Sequence, residues 1–197
     1  TEFPSAFLPL LGSGLSYNPT CVVDGNERRL GPETFEVCTV PPNSNSGSPT
    51  IWLEGDSHAG HLQGLLYELH ERVGFGVHLI ETPGVSYPIV KLTPVLASRQ
   101  VIHEEILAKI KRGDVLAVSR LYFDRANPTS PLSDVDDWLA SLPGLAEELS
   151  LRGAFLLVVG PVPMFTFEDI RQCGVDDKQL CSVARGARAK ATGLIIA

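Results

Sequence analysis

Several things are scarce in this sequence. Methionine occurs once, at Met164, so the chain does not open on an initiator residue. No signal peptide or other targeting segment shows, and the chain reads as processed or excised from a longer protein. Positive charge is in deficit: 16 Lys and Arg stand against 23 Asp and Glu, a net charge of -7 at pH 7, with a pI near 5.2. That balance offers nothing to a phosphate backbone or an anionic membrane surface, so nucleic acid is set aside as a partner. Long apolar runs are missing as well. The stretch 154–159 falls far short of the ~20 residues that cross a bilayer, and no span is expected in this chain. No Cys-x-x-C spacing suits a zinc knuckle or a thioredoxin-like site. Gly12-Ser13-Gly14 is not set between a strand and a helix as a nucleotide loop requires. No internal repeat stands out, and no cofactor or metal is expected.

What is present is an ordinary globular composition. Over 197 residues, 44% are hydrophobic and 20% charged, with a mean hydropathy of +0.10. One domain fits this length, with a core large enough to fold unaided.

The cysteines are Cys21, Cys38, Cys173 and Cys181, two sequence-local pairs. The simplest reading is two disulfides, Cys21–Cys38 and Cys173–Cys181, formed in an oxidising compartment. Four buried free thiols in a cytosolic protein is the other reading. Closing the loop from Cys21 to Cys38 would stabilise by about 3 kcal/mol in the chain-entropy model, stapling a segment rich in Gly, Pro and Asn.

Turn formers crowd residues 1–49, ending in Pro41-Pro42-Asn43-Ser44-Asn45-Ser46-Gly47-Ser48-Pro49. This segment is expected to be an extended leader and linker, with a short strand within 34–40. From residue 50 onward short apolar runs alternate with amphipathic stretches. Strands are expected at 50–54, 75–80, 114–119 and 154–159. A helix is expected at 58–73, with Leu62, Leu65, Leu66 and Leu69 on one face. A second is expected at 98–112, with Val101, Ile102, Ile106 and Ile110 aligned and Gly113 as its stop. A third, at 134–151, should bend or break at Pro143-Gly144. Uninterrupted strands separated by helices imply a mostly parallel sheet covered on both faces. The fold class is therefore three-layer α/β/α, in a flavodoxin-like arrangement with right-handed crossovers. The domain is expected to occupy 50–197. It ends on the apolar run Gly193-Leu194-Ile195-Ile196-Ala197, which looks like a strand beginning, so truncation is expected there.

In such a sheet, ligands gather at the carboxyl ends of the strands. Those ends are Gly55-Asp56-Ser57-His58, Thr82-Pro83-Gly84, Ser119-Arg120-Leu121 and Gly160-Pro161-Val162-Pro163. Ser57 follows a strand and precedes a helix, which sets its hydroxyl at the sheet rim beside backbone N–H groups suited to an oxyanion. Composition alone would equally make Asp56 or Ser57 a helix cap.

The run Ile51-Trp52-Leu53-Glu54-Gly55-Asp56-Ser57-His58-Ala59-Gly60-His61-Leu62 resembles the first block of the SGNH hydrolase superfamily, whose Gly-Asp-Ser element holds the nucleophile. More narrowly, Gly-Asp-Ser-His-Ala before a Leu-rich helix is similar to the SGNH domains fused to or associated with membrane acyltransferases that O-acetylate bacterial surface polysaccharides. The upstream cysteine pair and Val158-Val159-Gly160-Pro161-Val162-Pro163 agree with that branch. The resemblance covers about residues 21–181. It implies Ser57 as nucleophile, with its own N–H as one oxyanion donor and Gly84 at the place of the second-block glycine. Where ordinary SGNH esterases carry a Gly-x-Asn-Asp element, this chain reads Ser119-Arg120-Leu121-Tyr122, and Arg120 stands as a cationic donor to substrate. Asp56 and His58 flank the nucleophile as further contacts.

The superfamily's acid and base come as a late Asp-x-x-His element, and no histidine follows His103. Without a base, a serine hydroxyl is a weak nucleophile. Either sequence beyond Ala197 supplies the histidine or the chain as it stands is inactive. His58 and His61 sit at the spacing of a two-imidazole metal site, but no third ligand is apparent. His78 and His103 read as structural or solvated.

The expectation is an extracytoplasmic domain, periplasmic or extracellular, handling O-acyl groups on carbohydrate. Its partners would be a carbohydrate acceptor, an acyl donor and a membrane acyltransferase module preceding Thr1. An O-acetyl esterase shares every residue named. A non-catalytic glycan-binding module is the alternative of another class. A cytosolic flavodoxin-like domain would instead show reduced thiols and a bound flavin.

Overall fold

The structure, a computed structural model, describes residues 38–43, 47–94, 96–124 and 130–161. Cys21, Cys173 and Cys181 lie outside the described residues, so the Cys173–Cys181 pair and one half of the Cys21–Cys38 pair fall there. Cys38 lies inside them, buried and carrying no free thiol.

Five strands form one sheet: β1 (Thr39–Val40), β2 (Thr50–Gly55), β3 (Gly76–Glu81), β4 (Val115–Ser119) and β5 (Phe155–Val158). Their order is β1-β3-β2-β4-β5. All neighbours are parallel except β1, which runs antiparallel along the outer edge of β3. The helices are α1 (Ser57–Gly60), α2 (Gln63–Val73), α3 (Ala97–Lys109) and α4 (Val135–Leu151).

β2, β3 and β4 are mostly apolar because both faces of the sheet are covered there, Glu54 and His78 being buried polar exceptions. Ile51 and Leu53 pack with Ala59, Leu66, Val77, Leu79 and Ala117 on the α1/α2 side. Trp52, Ile80, Leu116 and Val118 pack with Ile102 and Ile106 of α3 and with Trp138, Leu142, Leu145 and Leu149 of α4 on the other. These are the three layers expected from the sequence.

Five expectations need correcting. The helix placed at 58–73 is two helices: Leu62 N–H closes a turn on Ala59 C=O, and α2 begins afresh with Leu66 N–H on Leu62 C=O. Within α2 only Leu66 and His70 are buried, while Leu65 is 57% exposed. The inward face follows Leu62, Leu66, Leu69 and His70, and Leu65, about 100° round from Leu66, lies past its edge. Val101 is exposed because it lies on the far side of α3 from the inward face of Ile102, His103, Ile106, Leu107 and Ile110. The α4 helix is not broken at Pro143 but runs through it. The missing N–H bond is offset by a buried face of Val135, Trp138, Leu142, Leu145 and Leu149. Finally, β5 exposes Phe155 and Leu157, so its apolar run is not sealed on both faces by the described residues.

Two carboxylates pin β2 to β4. At the lower end Asp114 Oδ1 accepts from Thr50 N–H at 2.8 Å, and its Oδ2 accepts from Trp52 Nε1–H at 3.0 Å. At the upper end Asp56 Oδ2 accepts from Leu121 N–H at 2.7 Å. The chain leaves β2 for β3 on one side and returns to β4 on the other, so the β2/β4 crevice is the topological switch point where ligands bind in such sheets.

Candidate functional site

Gly55, the last residue of β2, lies opposite Glu81 on one side and Ser119 on the other. The loops carrying Asp56-Ser57, Gly84 and Arg120 therefore leave the sheet at the same end. A side chain is not allowed at Gly55: a Cβ there would overlap the Ser119 carbonyl and sit 3.2 Å from Ala59 Cβ. Close approach of β4 and α1 to the strand end thus accounts for the glycine of Gly-Asp-Ser.

Asp56 is the N-cap of α1, its Oδ1 accepting from His58 N–H at 2.8 Å. Burial alone would raise its carboxyl, but the His58 imidazole and the N–H groups of Leu121 and His58 outweigh it and hold the pKa below the usual 3.8. The His58 ring, buried, places Nδ1 3.4 Å from Asp56 Oδ1. At that distance Nδ1 is left without a hydrogen-bond partner. The His58 and His61 ring centroids lie 5.1 Å apart, the planes tilted by 52°. Among the described residues no group of three metal-binding side chains gathers.

Ser57 opens α1 half-buried. The capping bonds go to His58 N–H and Ala59 N–H, leaving the Ser57 N–H and hydroxyl without hydrogen-bond partners among the described residues. Gly84 occupies the third position of the turn Thr82-Pro83-Gly84-Val85, closed by Val85 N–H on Thr82 C=O at 2.9 Å. Its φ of +75° with proline before it is the signature of a type II turn. Gly84 N–H is likewise unengaged, and the space before its Cα is open.

Arg120 is brought to the same end but turned inward. Its side chain is 2% exposed, with Nη2 donating to Asp134 Oδ1 at 2.8 Å and Nε to Leu121 C=O at 3.0 Å. The guanidinium lies over the Trp138 ring at 5.2 Å, and only Nη1 lacks a partner. Tyr122, on the same loop, donates its hydroxyl hydrogen to Val159 C=O at 2.6 Å, and burial pushes its pKa up to about 12.

No histidine hydrogen-bonds Ser57 among the described residues. His70 Nδ1 bonds Phe75 C=O and His78 Nδ1 bonds Thr39 Oγ1. His103 is neither exposed nor solvated: it is buried, with Nδ1 2.7 Å from Oε1 of the fully buried Glu54. Sequence reading passes over Glu54. The signal is there, a lone carboxylate inside an apolar strand three residues before the serine.

No helix among the described residues is long and apolar enough to cross a membrane. No curated protein and no solved structure matches the chain. Residues 20–192 match the family model described as the SGNH domain fused to AT3 domains. With a strand-end Gly-Asp-Ser at the switch point of a mostly parallel α/β sheet, and a match over most of its length, the chain belongs to the family of SGNH domains fused to AT3 (acyltransferase) domains.

Proposed function

We propose that this chain is an extracytoplasmic acyl-transfer domain in which Ser57 accepts an O-acyl group, most simply acetyl, and hands it to a carbohydrate hydroxyl. Family membership supports acyl-transfer chemistry. The observation that carries the reading is local: Ser57 Oγ, Ser57 N–H and Gly84 N–H are all left unengaged at one end of the sheet. In the proposed step Ser57 Oγ attacks the acyl carbonyl while the two N–H groups hold the oxyanion; the bond to the donor breaks, its alcohol or thiol leaving with the serine proton, and the acyl-serine then passes its group to a sugar hydroxyl, whose proton restores the Ser57 hydroxyl. Water as acceptor gives the esterase variant from the same residues. Asp56 orients the turn through its bond to His58 N–H, and His58 stands beside it. Arg120, expected from the sequence as a donor to substrate, is turned inward and instead holds the loop after β4 through Asp134 and the Leu121 carbonyl. The base that takes the serine proton is assigned to a segment other than the described residues. A membrane acyltransferase module as donor partner, and the Cys21–Cys38 and Cys173–Cys181 bridges of an oxidising compartment, complete the proposal.

A serine-directed phosphonate tests it on this chain and on a form lengthened beyond Ala197, with mass mapping of the adduct. Label on Ser57, lost in Ser57→Ala with the fold unchanged, is the expected result. Absence of label from both forms with an intact fold would overturn it in favour of a glycan-binding module.

A further inference from the structure

We propose that Glu54 and His103 are positioning residues for Ser57, a buried carboxylate–imidazole strut whose proton sets the end of β2 and the loop that carries Gly84. Four observations carry this. Glu54 is fully buried three residues before Ser57, on the strand that delivers it. Its Oε1 is bonded to His103 Nδ1 of α3, while Oε2 is buried without a partner. Tyr87 stacks on the His103 ring at 6.0 Å and 22°. Tyr87 also ties the second loop in: its hydroxyl lies 3.2 Å from Thr82 Oγ1, two residues before Gly84, and donates to Arg99 C=O at 3.3 Å. Its carbonyl accepts from Trp138 Nε1–H at 2.7 Å. One polar cluster therefore ties β2, near the end that delivers Ser57, and the loop that carries Gly84 to α3 and α4.

The physical reason for coupling is the cost of a bare charge in an apolar layer. With an imidazolium on Nδ1, the Glu54 carboxylate is compensated at Oε1, and the pair holds β2 against α3. When the imidazole is neutral, the carboxylate is buried with one oxygen unpaired and no countercharge, and the strut slackens. The charged and titratable groups around the ring are Glu54 on β2, Tyr87 on the second loop, Arg99 and Glu104 on α3, and Glu148 on α4. His78, opposite Trp52 in the register, is the next along the sheet face. Burial, the largest influence, lowers the His103 pKa, but the bond and charge of Glu54, with Glu148 and Glu104, reverse it to a net rise. The strut should thus be intact at low pH and weaken as pH rises past the imidazole's own raised value.

The proposal rests on Ser57 as the working residue, but its first test does not. In isotope-labelled protein, the His103 ring should titrate above 6.5, and the amides of Gly55, Asp56 and Ser57 should shift with the same midpoint while those of Val77 and Val115 stay flat. Glu54→Gln should lower the His103 midpoint by at least one pH unit and remove that shared response. Phosphonate labelling of Ser57 in the lengthened form should slow at least tenfold in Glu54→Gln and lose its pH break. If Glu54→Gln does not fold, the wild-type titration and His103→Gln decide, the latter leaving Gly55 to Ser57 without the shared transition. A His103 midpoint at or below 6.5, or amides of 55–57 indifferent to it, would overturn the proposal. Shared titration with no labelling at all would leave it standing and remove only the nucleophile assignment.

Discussion

Replacing His78 by phenylalanine should remove a defined part of the protein's sensitivity to acid. His78 is fully buried in β3, its ring centroid 5.0 Å from that of Trp52, and Nδ1 lies 2.6 Å from Thr39 Oγ1. Burial, reinforced by the charge of Lys109, drops its pKa from 6.5 to about 3. The folded protein keeps the ring neutral where the unfolded chain takes up a proton. Its contribution is fully present above pH 6.5 and is lost progressively as pH falls toward 3. Each pH unit below 6.5 costs about 1.4 kcal/mol, so about 2 kcal/mol disappears between pH 8 and pH 5, and roughly 4–5 kcal/mol by pH 3. Urea unfolding of the oxidised protein, followed by fluorescence of Trp52 and Trp138, gives the free energy at each pH. The difference between wild type and His78→Phe should shrink by about 2 kcal/mol from pH 8 to pH 5. The constant penalties of the substitution, including the lost Thr39 bond, cancel in that difference, as does the opposite trend from His103. Two curves parallel across this range would refute a buried neutral imidazole.

Two further outcomes follow from the strand end. Gly55→Ala should cost at least ~3 kcal/mol, beyond the usual range for overpacking, because the Cβ meets the backbone carbonyl of Ser119 and not a side chain that can turn away. A thermal melt within a degree or two of wild type would contradict the close approach of β2 and β4. Asp56→Ala should cost about 2–3 kcal/mol at neutral pH, since it removes a helix cap and leaves Leu121 N–H without its acceptor. Because the Asp56 pKa lies below 3.8, that penalty should persist down to pH 4 and fade only below it. A penalty already gone at pH 5 in urea titrations would count against the assignment.

Periodicity reads the layers correctly and the faces of short helices poorly. The strands expected at 50–54 and 114–119 are legible because a strand buried on both faces is mostly apolar, Glu54 being the exception. Leu65 and Val101 mislead because neighbours of a buried residue on a helix are apolar for reasons a single stripe does not reveal. The break between α1 and α2 is invisible for a related reason, since a hydrogen bond from Leu62 N–H to Ala59 C=O leaves the apolar pattern almost unchanged. At the site, Ser57 is legible from Gly-Asp-Ser, and the requirement for glycine becomes physical only through the contact of β4 with that strand end.

The sequence by itself determined the alternation of strand and helix, and hence the α/β class, together with the strand-end serine. Each is written in contiguous residues whose spacing is the signal. Tertiary structure alone decided the polar pairings: Glu54 with His103, 49 residues apart, Asp56 with Leu121, 65 apart, and Arg120 with Asp134. Such pairs leave no local trace, because a carboxylate in a strand and an imidazole in a helix each look like an exception until packing brings them within 2.7 Å. In a layer that excludes water, neither is stable without the other.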